Sequence, residues 1–181
     1  MQNGMPESAD NMTNLTTYKR VLSEDDIAYY LPIYKQKYIL FSQVILNRDG
    51  CTATLQSFDY PFTTVNIDYL PVPYASLLLC QIGYLAGAGI VESGIISDIA
   101  ISKYLDLMMR EQIVITDFRI RFKKFIPNVD GILFSANFTK VRNWRGRIIC
   151  TFEVKKDEHM FANANLLINT EGGLRHNFYR S

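Results

Sequence analysis

The side chains able to do chemistry are few and unevenly placed. Residues 69–91 hold no Asp, Glu, Lys or Arg, and their polar side chains are Ser76, Gln81 and the phenols of Tyr69, Tyr74 and Tyr84. Gln81 cannot take a proton, but its amide can orient a water or an amine through hydrogen bonds. Tyr60, Tyr69, Tyr74 and Tyr84 fall within twenty-five residues of one another, so phenol donors are available around the start of the run. Asp68 is the one carboxylate at that start; partly buried, it would titrate high enough to serve as a base, and solvated it would not. Farther on, Arg119, Arg121, Lys123 and Lys124 interleave with Ile120, Phe122 and Phe125, which on a strand sets the cations on one face. Such a face suits phosphates or an acidic partner. Each group also has a plainer explanation: a core amide, packing aromatics, a loop aspartate, a solvated sheet face.

The elements that must position these groups follow from patterning. An uncharged run of this length is either a membrane span or a helix wrapped by the rest of a fold. Pro71 and Pro73 place the helical part from about Tyr74 over about eighteen residues, since proline suits the approach to a helix and not its interior. Acids, not lysines, flank it, and Gly83, Gly87, Gly89 and Gln81 weaken membrane insertion, so a buried central helix is expected. Before it, Ser23 caps a short helix with Glu24, Asp25 and Asp26 in its first turn, ended by Pro32. Residues 38–47 and 51–58 read as a hairpin about Arg48-Asp49-Gly50. After it, Ile101, Tyr104, Leu105, Met108 and Met109 mark a second helix, capped by Ser97 or Asp98. Residues 113–123 alternate with one slip, and strands at 132–141, 147–154 and 160–168 follow. The expectation is an α+β hot-dog fold, with about six largely antiparallel strands around one long helix. A cone-shaped sheet needs two or three amphipathic helices ahead of the strands, and only one short helix stands there.

Composition narrows the function classes. The 181 residues, 48% hydrophobic, suffice for one core, so residues 18–181 are read as a single domain behind a flexible tail at 1–17. A net charge of +1 lacks the basic field that nucleic acid or an anionic membrane would need. Cys51, Cys80 and Cys150 are odd in number and widely spaced, as expected of reduced core thiols in a cytoplasmic protein. His159 and His176 have no partner at ligand spacing, so no metal and no cofactor are expected. The chain has no GxSxG elbow, and Gly87-Ala88-Gly89 lies inside the apolar run, not in a phosphate-binding loop.

Three segments in order, Tyr74-Ala-Ser-Leu-Leu-Leu-Cys80-Gln81 through Val91, then Ile101-Ser-Lys-Tyr104-Leu-Asp-Leu-Met-Met109, then Phe118-Arg-Ile-Arg-Phe122-Lys123-Lys124-Phe125-Ile126, resemble the FcoT-like acyl-thioester hot-dog family over residues 34–156. In that family a central helix is followed by an inserted helix bearing a tyrosine and then by a strand with a basic run. The resemblance implies a fatty acyl or enoyl thioester as ligand, on coenzyme A or an acyl carrier protein. Members are similar to long-chain acyl-CoA thioesterases or to enzymes that add glycine to a carrier-bound enoyl chain. It further implies that the backbone of Tyr74, Ala75 and Ser76 faces the thioester carbonyl, with Tyr84 also in contact. Gln81, Tyr60, Tyr69 and Asp68 become the catalytic candidates, and Arg119, Arg121 and Lys123 the contacts to coenzyme A phosphates or an acidic carrier. Arg142, Arg145 and Arg147 are expected to join that basic surface. The helix lacks the acid and the preceding loop lacks the histidine of dehydratase hot dogs. Dehydration or silent acyl binding stands as the alternative, and a homodimer or higher homo-oligomer is expected. Gln81→Ala is expected to lower turnover with the fold intact.

Overall fold

The computed structural model describes residues 18–58, 68–122, 124–157 and 159–170. The N-terminal tail, Tyr60 and Lys123 therefore lie outside the described residues. Seven strands form one antiparallel sheet: β1 (Lys19–Leu22), β2 (Phe41–Asn47), β3 (Gly50–Leu55), β4 (Ile113–Ile120), β5 (Leu133–Trp144), β6 (Arg147–Lys156) and β7 (His159–Asn169). Their order is β1-β2-β3-β5-β6-β7-β4. The expected hairpin is β2–β3, turning at residues 48–49. The seventh strand, beyond the six expected, is β1. Its four residues, Lys-Arg-Val-Leu, are too few to show a period, and pairing with β2 makes them a strand.

Helix α1 (Glu24–Tyr30) begins at a capping box, as its sequence indicates: the Asp26 N–H donates to Ser23 Oγ at 3.2 Å, and the Ser23 N–H donates to the Asp26 carboxylate at 3.1 Å. Helix α2 (Val72–Glu92) has 21 residues, starting two residues earlier than the prolines suggested. Pro71 is its N-cap and Pro73 sits within the first turn, where the missing N–H removes no intrahelical bond. Helix α3 (Ile101–Met109) starts at Ala100 without a side-chain cap; Ser97 instead donates to Asp98 at 3.2 Å, so neither caps the helix.

The sheet wraps α2, and Leu78, Leu79, Ile82, Leu85, Ala86 and Ile90 on it are fully buried. It is the one helix among the described residues long and apolar enough to cross a membrane, and most of it lies inside the sheet. Two glycines permit the close approach. A Cβ on Gly83 would stand 2.7 Å from the Phe152 ring and 2.8 Å from Ile115, and one on Gly89 would stand 2.4 Å from the Gly50 carbonyl oxygen. One long helix enclosed by an antiparallel sheet in this order is the hot-dog fold. The slip in the β4 alternation is a bulge between Thr116 and Arg119, where Asp117 has φ 50°.

At the C-terminal end of α2, the hydroxyls of Tyr18 and Tyr30 and the guanidinium of Arg20 (3.0 Å) all donate to the Glu92 carboxylate. This network ties β1 and α1 to the central helix. Burial first, and the Glu92 carboxylate second, push both phenols well above their ordinary range.

Candidate functional site

The N-terminal end of α2 gathers the chemically capable groups. Three segments meet there: residues 36–40, the end of β3 with residues 56–58, and the loop at 126–131. Backbone and side-chain hydrogen bonds stitch them together. The Leu70 N–H donates to the Ile126 carbonyl at 2.7 Å, and the Asn128 N–H to that of Asp68 at 2.9 Å. The Asn128 amide brackets Phe58, accepting its N–H at 3.2 Å and donating to its carbonyl at 2.8 Å. Asp130 accepts the Ser57 N–H at 2.6 Å, which holds its carboxyl below the usual range.

A cavity of about 340 Å³ opens beside the first turn of α2, lined by Lys37, Tyr38, Gln56, Phe58, Tyr74 and Leu77 among others. Phe58 and Tyr74 stack at 4.6 Å with planes 13° apart, and the Lys37 ammonium sits 4.9 Å from the Tyr38 ring centre. Burial raises the Tyr74 phenol above its ordinary value. The wall is thus largely apolar and aromatic with two phenols and a cation, and among the described residues no Asp, Glu, His or Cys lines it.

Gln81 stands behind this wall, fully buried. Its Oε1 accepts the Leu40 N–H at 2.9 Å and its Nε2 donates to the Tyr38 carbonyl at 2.7 Å. Gln56 holds the same segment, its Nε2 donating to the Ile39 carbonyl at 2.7 Å. Two glutamine amides therefore fix the backbone that carries Lys37 and Tyr38. Sequence patterning could not point to Tyr38 as a wall residue, because the contact spans more than forty positions.

The other expected residues divide. Tyr74 lines the cavity. The Ala75 N–H donates to the Pro71 carbonyl at 2.9 Å, and the Ser76 hydroxyl to the Val72 carbonyl at 3.1 Å, so both are engaged within the helix's own first turns. With prolines at 71 and 73, the first-turn positions that carry an N–H ahead of Ala75 are Val72 and Tyr74. Tyr69 is half-exposed and packs against the Phe125 ring at 5.4 Å, while Asp68 is exposed. Tyr84 lies ten residues beyond Tyr74, roughly 15 Å along the helix. There its carbonyl accepts the Tyr104 hydroxyl at 2.9 Å, its ring lies 6.5 Å from that of Tyr34, and burial pushes its phenol up to about 12.

Arg119 and Arg121 are exposed along the end of β4, beyond which Arg121 joins Lys124, Phe122, Phe125 and Phe161 around a second cavity of about 370 Å³. This cavity lies at the same end of the sheet as the N-terminus of α2. Arg142, Arg145 and Arg147 lie at the other end: on β6, Arg147 pairs with Asn169 and Lys156 with His159, nine strand steps apart. That is roughly 30 Å, so the two basic clusters do not form the single surface expected of them.

No family model and no curated protein matches the chain. Among solved structures it resembles the dehydratase heterocomplex ApeI:P from Xenorhabdus doucetiae, at 15% identity over 78% of this chain and 88% of that one, with a TM-score of 0.46. A thioesterase superfamily protein shares 10% identity over 70% of this chain and 53% of its own, at a TM-score of 0.39. An uncharacterized protein from Pyrococcus horikoshii shares 12% over 73% and 84%, at 0.36. The strand order and the enclosed helix, not these distant likenesses, define the fold.

Proposed function

We propose that this chain is an enzyme acting on a fatty acyl or enoyl thioester of coenzyme A or an acyl carrier protein, by hydrolysis or by adding a nucleophile to the enoyl chain. The observation that carries the reading is the aromatic cavity at the start of α2 with cations beside it. The carbonyl would lie against the first turn of α2, where the helix dipole favours a developing negative charge. The phenols of Tyr38 and Tyr74 would donate to it, and Phe58 and Leu77 would take the first carbons of the chain. Arg119, Arg121 and Lys124, with Lys123 beside them in sequence, would meet the phosphate groups or the acidic carrier. Gln81 acts in this reading as a positioning residue for Tyr38. A cavity with no carboxylate or histidine among the described residues that line it suits chemistry that relies on positioning, with the nucleophile supplied by water or by a substrate amine. The reading extends to a cytoplasmic homo-oligomer serving lipid or secondary-metabolite synthesis.

A second reading has its own support. The lack of an Asp, Glu or His among the described residues lining that cavity, together with an amide already committed to backbone, fits a catalytically silent hot dog that binds acyl chains. A panel of acyl and enoyl thioesters on coenzyme A and on carrier protein, with and without glycine, followed by mass spectrometry, separates the two. Turnover of any member supports the enzyme; binding without turnover across the panel supports the silent protein. A dehydration product would require an acid at the ligand, and Asp68, exposed on its loop, lines neither cavity.

A further inference from the structure

A further cavity, of about 450 Å³, lies at the opposite end of the sheet, between α3 and the β5–β6 turn. Its size falls within the range of small-molecule sites. Lys103, Arg145 and Arg147 line it together with Asp98 and Trp144. Lys103 pairs with Asp106 at 3.5 Å, whereas Arg145 and Arg147 make no ion pair among the described residues. The Arg145 guanidinium lies over the Trp144 ring at 5.1 Å, and the ring itself stays half-exposed.

The turn itself is costly in its choice of residue. Arg145 and Gly146 are the two central residues of a two-residue hairpin loop, with φ 48° and 69°. Such loops favour Asn-Gly, because a long side chain with a Cβ is disfavoured in the left-handed region. An arginine held there against backbone preference, with no ion pair among the described residues and its guanidinium over a tryptophan, is strain of the kind found at ligand sites.

We infer that this cavity is a nucleotide site, in which Lys103, Arg145 and Arg147 take the phosphates and Trp144 takes the base. Charge-assisted contacts from arginine match phosphate geometry, an aromatic face stacks a planar base, and Asp98 suits a ribose hydroxyl. The site is separate from the one at the start of α2, roughly 30 Å away along β6.

Trp144 is the chain's single tryptophan, so its fluorescence reports this site alone. ADP should change that fluorescence saturably, with adenosine and inorganic phosphate each binding roughly tenfold or more weakly, as expected when both phosphate and ring are recognised. Arg145→Asn should raise the melting temperature, since asparagine accepts positive φ, and yet weaken ADP roughly tenfold or more. Arg147→Ala should weaken ADP similarly, with calorimetry as a second readout. Absence of saturable ADP binding by both methods overturns the inference. So does ADP affinity unchanged in a folded Arg145→Asn protein, and phosphate binding as tightly as ADP removes the nucleotide class.

Discussion

Gln81 holds two backbone groups of one segment, and at the residue scale its consequence is mechanical before it is chemical. Truncation to alanine would leave the buried Leu40 N–H and the Tyr38 carbonyl without their partners. The expected loss is on the order of 3 kcal/mol in urea unfolding, with the wall carrying Tyr38 loosened at the same time. The structure thereby changes the expectation of an intact fold that the sequence suggested. Tyr38→Phe and Tyr74→Phe remove one hydroxyl each and keep the ring. If these phenols donate to a thioester carbonyl, either variant should lower kcat/KM roughly tenfold or more with melting temperature little altered. Unchanged kinetics in both would remove the phenols from the site. The sequence showed Gln81 as the amide of an apolar helix. It could not show that the amide's partners lie at residues 38 and 40, since nothing local links those positions to 81.

At the scale of elements, α2 is held by close contacts that leave no slack. Gly89→Ala would drive a Cβ against the Gly50 backbone carbonyl, which cannot swing aside as a side chain can. The helix or the β2–β3 turn must shift, and a destabilisation of about 2–3 kcal/mol is expected from denaturant midpoints. A loss under half of that would mean the hairpin is more compliant than its pairing indicates. Much of this level was legible beforehand. The capped α1, the β2–β3 hairpin, α3 and the four later strands all carry local signals of period or turn chemistry. The slip in the β4 alternation marked its bulge. The paired prolines indicate a start for α2 near Tyr74, two residues later than Val72, because the first turn needs no N–H and so admits Pro73. β1 is not legible in the sequence, because four residues carry no period and its existence depends on the edge of β2.

At the scale of the whole molecule, buried phenols couple stability to alkaline pH. Burial pushes Tyr84 up to about 12, and raises Tyr18, Tyr30, Tyr34 and Tyr104 well above their ordinary value near 10 as well. The folded state holds these protons more tightly than the unfolded chain. Their contribution is therefore fully present below about pH 10 and is lost as pH rises from there toward the folded-state values. Urea midpoints should be insensitive to these groups below that pH and fall steeply above it, with the last part of the tyrosinate absorbance appearing only together with unfolding. A tyrosine titration that runs to completion for all eleven phenols in a still-folded protein would contradict the burial of these rings. Light scattering should return at least twice the 20.8 kDa of one chain if the sheet pairs with a second copy, as hot-dog sheets commonly do, and a monomer would count against oligomerisation.

What the sequence determined by itself is the set of local elements and the burial of the long uncharged helix, because period, capping, turns and charge deficit act over a few residues. It also established that the central helix carries no acid before its last residue, Glu92, so that its first turns offer only amide, hydroxyl, phenol and backbone groups. Only the tertiary structure decided which of those groups meet. It drew Tyr38 and Phe58 to Tyr74 and turned Gln81 toward the backbone of residues 38–40. It also separated the basic residues into two ends of one sheet. These are outcomes of strand order and register, and register is settled by how the whole sheet buries its helix.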